Sequence, residues 1–253
     1  MRLALGLTIV GMLSCKHTAP TPTVPHRTLK VNATLSHSRA AFTQGLAFAH
    51  GRLFEGTGLY GSSSIRELDP ITGDELRRAE VDDAYFGEGI TVFDGRIYEL
   101  TWREHRCFVY DVDTFKQLAE LSYDGDGWGL TNDGTHLIMS DGSSELRFRD
   151  PKTMAVVRSI SVRYDGKPVT DLNELEYVNG TIWANVWRSD AILRIDAKDG
   201  RVLEVIDTAS SLPPETRSAD PDDVLNGIAF DEQSGRLLIT GKRWPLMFDV
   251  RVQ

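Results

Sequence analysis

One carboxylate, one ammonium, three amides and three indoles recur at matching places along this 253-residue chain. Gln44, Glu88, Trp128, Asn173 and Asn226 occupy one position of a segment that appears five times. The copies read FTQGLAF (42–48), FGEGITVF (86–93), GWGLT (127–131), LNELEYV (172–178) and LNGIAF (225–230). A second recurring segment ends at Gly58, Trp102, Gly142, Trp187 and Lys242. Brought together, these side chains would line an apolar pocket with a few orienting polar groups, the usual make-up of a small-ligand site. A carboxylate among indoles is poorly solvated, which raises its pKa and suits it to moving protons. Lys242 would oppose that shift; alternatively, Glu88 and Lys242 form a structural salt bridge.

The elements that must position these residues follow from the repeat. The steps between copies are 44, 40, 45 and 53 residues. That is the period of a four-stranded propeller blade, in which equivalent positions converge on a central axis. Each copy holds a second strand, as in RLFEGTG (52–58) and RIYELTW (96–102), and a third strand ending at Asp69, Asp111, Asp150, Asp196 or Asp249. Aspartate starts turns because its side chain bonds its own backbone two residues on. A fourth, alternating strand follows in the first four copies, and no stretch keeps a helical period. The expected fold is all-β, a five-bladed β-propeller. The last copy lacks a fourth strand, and TLKVNATL (28–35) is expected to close that blade and cover its edge. Trp183 aligns with Phe54, Tyr98, Ile138 and Leu238, a core position. The connection 210–224 is long and proline-bearing, and is expected to form a rim element beside the site.

The domain boundaries expected are a signal at 1–15, a flexible tether at 16–27 and the catalytic propeller at 28–253. Arg2 precedes a short apolar run at 3–13, too short to span a bilayer as a mature helix. Ser14-Cys15 at its end resembles a lipoprotein signal, which would make Cys15 the lipidated N-terminus, although Met12 stands where Leu is usual. An ordinary secretory signal is the alternative. Either way the chain is expected to be exported to the cell envelope or periplasm, touching a membrane only through the anchor. A net charge of -9 without a basic stripe argues against nucleic acid. The domain is expected to be a monomer.

Cys107 is the other cysteine, so no structural disulfide is expected, and it reads as a half-buried packing residue. None of the six histidines has a partner at metal-ligand spacing or falls in either column, so no metal and no cofactor are expected. The stretch TNDGT (131–135) reads as a hairpin turn rather than a calcium loop.

The segments FTQGL, FEGTGLYG, FGEGI, LTW, GWGL, LNELE, IWANVW, LNGIA and TGKRWP, in this order, resemble the glutamine cyclotransferase family of plants and bacteria. One departure is Gly56, where related chains often carry Ser. The resemblance covers about 42–250 and implies a five-bladed propeller, in agreement with the repeat count. It also implies an enzyme that cyclises a peptide's N-terminal glutamine to pyroglutamate and releases ammonia without a metal. It assigns proton transfer to Glu88. Lys242, Asn173 and Gln44 are candidates for stabilising the oxyanion. Phe42, Trp102, Trp128 and Trp187 would enclose the glutamine side chain, and Asn226 would bind peptide backbone. Glu174, standing where the other copies have glycine, would touch the α-amine, while Glu176 would brace backbone. Two alternatives belong to other classes. A non-catalytic peptide- or sugar-binding propeller would keep full function in Glu88→Gln. A calcium-dependent propeller hydrolase needs several carboxylates on the axis, where the first column has only Glu88.

Overall fold

The computed structural model describes residues 23–253; the expected signal, Cys15 and most of the expected tether lie outside them. The described chain is all-β, with one turn of 3-10 helix at Pro214–Thr216. Strand β1 (His26–Ser36) is followed by a sheet of β2 (Thr43–Ala49), β3 (Arg52–Thr57), β4 (Ser64–Leu68) and β5 (Glu75–Glu80). A second sheet contains β6 (Gly87–Phe93), β7 (Arg96–Thr101), β8 (Arg106–Asp111) and β9 (Gln117–Ser122). A third contains β10 (Leu130–Asn132), β11 (Leu137–Met139), β12 (Glu145–Arg149) and β13 (Val156–Ser161). A two-stranded ribbon, β14 (Arg163–Tyr164) and β15 (Lys167–Pro168), leads into the last part. There β16 (Leu172–Val178), β17 (Thr181–Val186), β18 (Ala191–Asp196) and β19 (Val202–Asp207) are joined through β1 to β22 (Leu246–Val252), β21 (Arg236–Gly241) and β20 (Leu225–Asp231).

Strand β1 therefore does more than the sequence suggests. Leu29–Ser36 runs antiparallel to β22, as expected for the missing outer strand. The strand also starts at His26, inside the stretch read as tether, and His26–Thr28 pairs in parallel with Val205–Asp207 of β19. One strand thus covers two sheet edges that would otherwise expose unpaired backbone groups.

The first strands β2, β6, β10, β16 and β20 neighbour one another in closed cyclic order. Gly45, Gly89 and Gly129 stand too close to a neighbouring strand's backbone for a side chain, and Gly227 lies at φ +124°. A Cβ on Gly45 would stand 2.3 Å from Ile90 N, and one on Gly129 would stand 2.0 Å from Asn173 O. This explains the glycine that follows the polar residue in four of the five copies. The fourth copy has Glu174 instead, and its carboxylate accepts N–H groups from Leu46 at 3.2 Å and Ile228 at 2.9 Å. Glu176, one pleat further on, accepts from Phe230 N–H at 2.7 Å and from the Thr131 hydroxyl at 3.3 Å.

Between the sheets lie apolar layers. Phe54, Ile65, Ile90 and Phe108 form one, and Trp183, Ile206, Trp244 and Phe248 contribute to another. Trp183 is in the core, as its alignment predicts. Cys107 on β8 is fully buried rather than half-buried, and burial pushes its thiol pKa up. The turn aspartates act as read: Asp69 Oδ1 accepts from Ile71 and Thr72 N–H, and Asp150 Oδ1 from Lys152 and Thr153 N–H. Residues 131–135 end β10 in a turn, where Asp133 Oδ1 accepts from Thr135 and His136 N–H.

Candidate active site

The first column lies where each first strand loses register with its second. The pairing shifts between Thr43 and Gly45, between Gly87 and Ile90, between Leu172 and Leu175, and between Leu225 and Ile228. These are β-bulges, which re-aim a side chain out of the normal alternation. Gln44, Glu88, Asn173 and Asn226 sit on them. Trp128 precedes β10, and its N–H donates to Ser140 O at 3.2 Å. Because β2 begins where β3 ends, the second column closes over the same end of the ring.

There a cavity of about 310 Å³ is lined by Phe42, Gln44, Leu59, Phe86, Glu88, Trp102, Trp128, Asn173, Trp187, Asp222, Lys242 and Arg243. Eight residues singled out from the sequence meet here: Phe42, Gln44, Glu88, Trp102, Trp128, Asn173, Trp187 and Lys242. Two do not reach it. Asn226 is fully buried, with Nδ2 donating to Thr43 O at 2.9 Å and lying 3.4 Å from Gln44 Oε1. Its Oδ1 is buried without a hydrogen-bond partner among the described residues. Glu174 is consumed by its two backbone N–H groups, so it braces the ring instead of facing the cavity. Burial, then the charge of Glu176, pushes its pKa well above the carboxylate range.

Leu59, Phe86, Asp222 and Arg243 were missed. Phe86 packs against Trp102 with ring centroids 5.6 Å apart and against Phe42 at 6.3 Å. Its ring stands where Gly58 has no side chain; a Cβ there would be 2.4 Å from Phe86 Cε1. Gly142 does the same for Trp128, whose ring atoms would be 2.8 Å from an added Cβ. The two glycines of the second column are thus the places over which aromatic rings lie. Trp128 and Trp187 meet edge to face at 5.8 Å, a favoured arrangement for aromatic pairs. The connection 210–224 does reach the rim, through Asp222.

Glu88 is 5 % exposed and Lys242 likewise 5 %. Burial raises the Glu88 pKa well above the carboxylate range, partly opposed by Lys242 and reinforced by Glu104 and Asp126. Burial lowers Lys242 to about 8, while Glu88 and Asp222 hold its proton on. Among the described residues neither group makes a hydrogen bond or an ion pair, so the structural salt bridge between them is not formed. Lys242 Nζ rests over the Phe42 ring at 4.6 Å. The Asn173 side chain makes no hydrogen bond among the described residues, and the Trp128 indole N–H is buried without a partner. The cavity therefore offers a buried carboxyl, a cation and free amide and indole donors inside an aromatic wall. Among the described residues, no group of three or more His, Cys, Asp or Glu is placed to hold a metal ion.

Comparison with known proteins points to one family. The glutamine cyclotransferase family profile matches residues 4–252. A glutaminyl-peptide cyclotransferase of Arabidopsis thaliana is 42% identical over 228 residues, which cover 89% of this chain and 71% of the relative. The crystal structure of Myxococcus xanthus glutaminyl cyclase superposes with a TM-score of 0.85 at 35% identity, covering 92% of this chain and 99% of that one. The chain belongs to the glutamine cyclotransferase family.

Proposed function

We propose that this chain is a glutaminyl-peptide cyclotransferase, which converts the N-terminal glutamine of a peptide to pyroglutamate and releases ammonia. The observation that carries the reading is Glu88: a buried carboxylate with no bonding partner among the described residues, facing an aromatic cavity that it shares with Lys242. The family membership and the activity for which the Arabidopsis relative is named support it.

In the proposed reaction the substrate's α-nitrogen attacks the δ-carbon of its own side-chain amide. A nitrogen–carbon bond forms, the amide carbon–nitrogen bond breaks, and a proton passes from the α-amine to the departing nitrogen. Glu88 takes that proton and returns it, so one carboxylate serves both steps. Its raised pKa narrows the gap to the amine it must deprotonate. Lys242, Asn173 and the Gln44 amide supply donors for the oxyanion of the tetrahedral intermediate. Phe42, Trp102, Trp128 and Trp187 keep the glutamine folded on itself and exclude water, which replaces chance encounter by fixed orientation. The route uses no metal ion.

The architecture completing this reading is a five-bladed propeller, with β1 as the outer strand of the last blade. Its support is the cyclic order of the five first strands and the repeat in sequence. Export, lipidation at Cys15 and a monomeric state belong to the same proposal. The first two rest on the residues of 1–15, and the third on the covering of two sheet edges by β1. The test is ammonia release from a Gln-initiated dipeptide by the full chain with a chelator present. Steady release, abolished when the α-amine is acetylated, is expected; no release by folded protein contradicts the reading.

A further inference from the structure

A substrate that reacts through its α-amine arrives largely as an ammonium ion, because peptide N-termini titrate at about 7.7–8.0. Lys242 in the same cavity repels a second cation, so the incoming group needs a carboxylate of its own. The repeat supplies only Glu88. A second carboxylate comes from outside the repeat: Asp222, in the connection between β19 and β20, lines the same cavity.

This residue is held in place from both sides. Arg243 Nη1 donates to Asp220 Oδ2 at 3.2 Å, and Arg243 Nε lies 3.2 Å from Asp223 Oδ1. The Trp244 indole N–H donates to Asp223 O at 2.9 Å, and the Asp222 N–H donates to Asp220 Oδ1 at 3.0 Å. Arg188, whose guanidinium lies over the Trp187 ring at 4.3 Å, donates from Nη2 to Asp222 Oδ1 at 3.2 Å. The second oxygen, Oδ2, makes no hydrogen bond among the described residues. Asp222 is thus anchored through one oxygen with the other open.

Resting on the cyclotransferase reading, we propose that Asp222 receives the substrate's α-ammonium group and so selects peptides with a free N-terminus. Glu88 then takes the proton from an amine already oriented at the rim by Asp222. Arg188 pairs with one oxygen of this half-exposed carboxylate at the rim and leaves the other to the incoming group. Asp222 is a specificity-determining residue here, and it carries no step of the bond chemistry.

The test compares wild type, Asp222→Asn and Asp222→Glu as full chains. Two ligands are used: a Gln-initiated dipeptide, and the analogue in which hydrogen replaces the α-amine. Asp222→Asn is expected to raise KM for the dipeptide roughly fivefold, the scale of a partly solvated ion pair, with kcat within about twofold. Its inhibition constant for the amine-free analogue should match that of wild type. Asp222→Glu should restore most of the KM, and the salt dependence of kcat/KM should weaken in Asp222→Asn. An unchanged KM, or equal losses for both ligands, overturns the assignment. Equal losses would mean that Asp222 only shapes the wall or meets another part of the peptide. Failure of wild type to turn over would contradict the cyclotransferase reading instead, and direct titration of both ligands would still measure the preference for the amine.

Discussion

Glu88 and Lys242 face one cavity and each is the largest opposite charge acting on the other, yet they are not joined as an ion pair. A closed pair would satisfy both charges and leave nothing for a substrate. Held apart and buried, each is displaced toward the pH range in which it can exchange protons: the carboxyl upward, the ammonium down to about 8.

The pH dependence of kcat follows from these directions. Glu88 must be ionised to accept a proton, so the acidic limb should lie well above the ordinary carboxylate range. Lys242 must be protonated to donate, so activity should fall as the pH passes about 8. Lys242→Gln should lower kcat by about 10²–10³, the scale of losing one oxyanion donor. A kcat profile flat across both limbs, or a Lys242→Gln enzyme within a few-fold of wild type, would remove Lys242 from the chemistry.

Gly142 lies at φ +79°, and an added Cβ would meet the Trp128 ring at 2.8 Å. Gly142→Ala must therefore strain the backbone and displace one wall of the cavity. Thermal unfolding should show a loss of at least about 1 kcal/mol, and KM should rise because Trp128 can no longer meet Trp187 edge to face. An unaltered KM would mean that the ring position does not matter for binding.

The end of β1 is tied to the ring by a buried pair. One His37 ring nitrogen lies 2.8 Å from Glu55 Oε1 and the other 2.7 Å from Trp244 O. Burial pulls the His37 pKa down, but Glu55 and the Trp244 carbonyl more than compensate and leave it raised. Burial pushes Glu55 up, and His37, Arg66 and Thr43 bring it below its usual value. The raised histidine stabilises fully below its unfolded pKa, and that contribution is lost as the pH rises through its folded value. The lowered glutamate stabilises fully above its unfolded pKa, and that contribution is lost as the pH falls through its folded value. Both are complete between about 4.5 and 6.5. His37→Gln should cost about 3–5 kcal/mol in that window and less on either side. A difference in unfolding free energy that does not change with pH would contradict a charged pair.

Glu174 and Glu88 are both buried carboxylates of the inner ring, with opposite expected phenotypes. Glu174→Gln keeps one acceptor oxygen for the two N–H groups of Leu46 and Ile228. It should lower stability by about 1–3 kcal/mol, because the amide nitrogen cannot accept and leaves one buried N–H unsatisfied, while leaving kcat within a few-fold. Loss of turnover at unchanged stability would return Glu174 to the list of residues that touch substrate.

Much of the site was legible because the ring repeats. The column from Gln44 to Asn226 and the column from Gly58 to Lys242 align by spacing alone, and eight of the residues singled out meet at one cavity. Asn226 and Glu174 lie outside the cavity lining for a common reason. Sequence places a residue at a ring position but does not say which of its polar atoms bond neighbouring strands: Asn226 Nδ2 donates to Thr43 O, and both Glu174 oxygens accept backbone N–H groups. Phe86 was hidden because its place follows from the absence of a side chain at Gly58. Asp222 lies in a connection outside the repeat, with no aligned counterpart to mark it. The double pairing of β1 was illegible because the parallel contact with β19 depends on how two neighbouring sheets meet, not on alternation within the strand.

The most direct test of the account is Glu88→Gln, which removes the proton-transfer group and keeps its shape. Turnover of a Gln-initiated dipeptide should fall by about 10²–10⁴, while calorimetric affinity for the same peptide changes by no more than a few-fold and the melting temperature holds. Turnover near the wild-type rate would contradict Glu88 as the proton carrier.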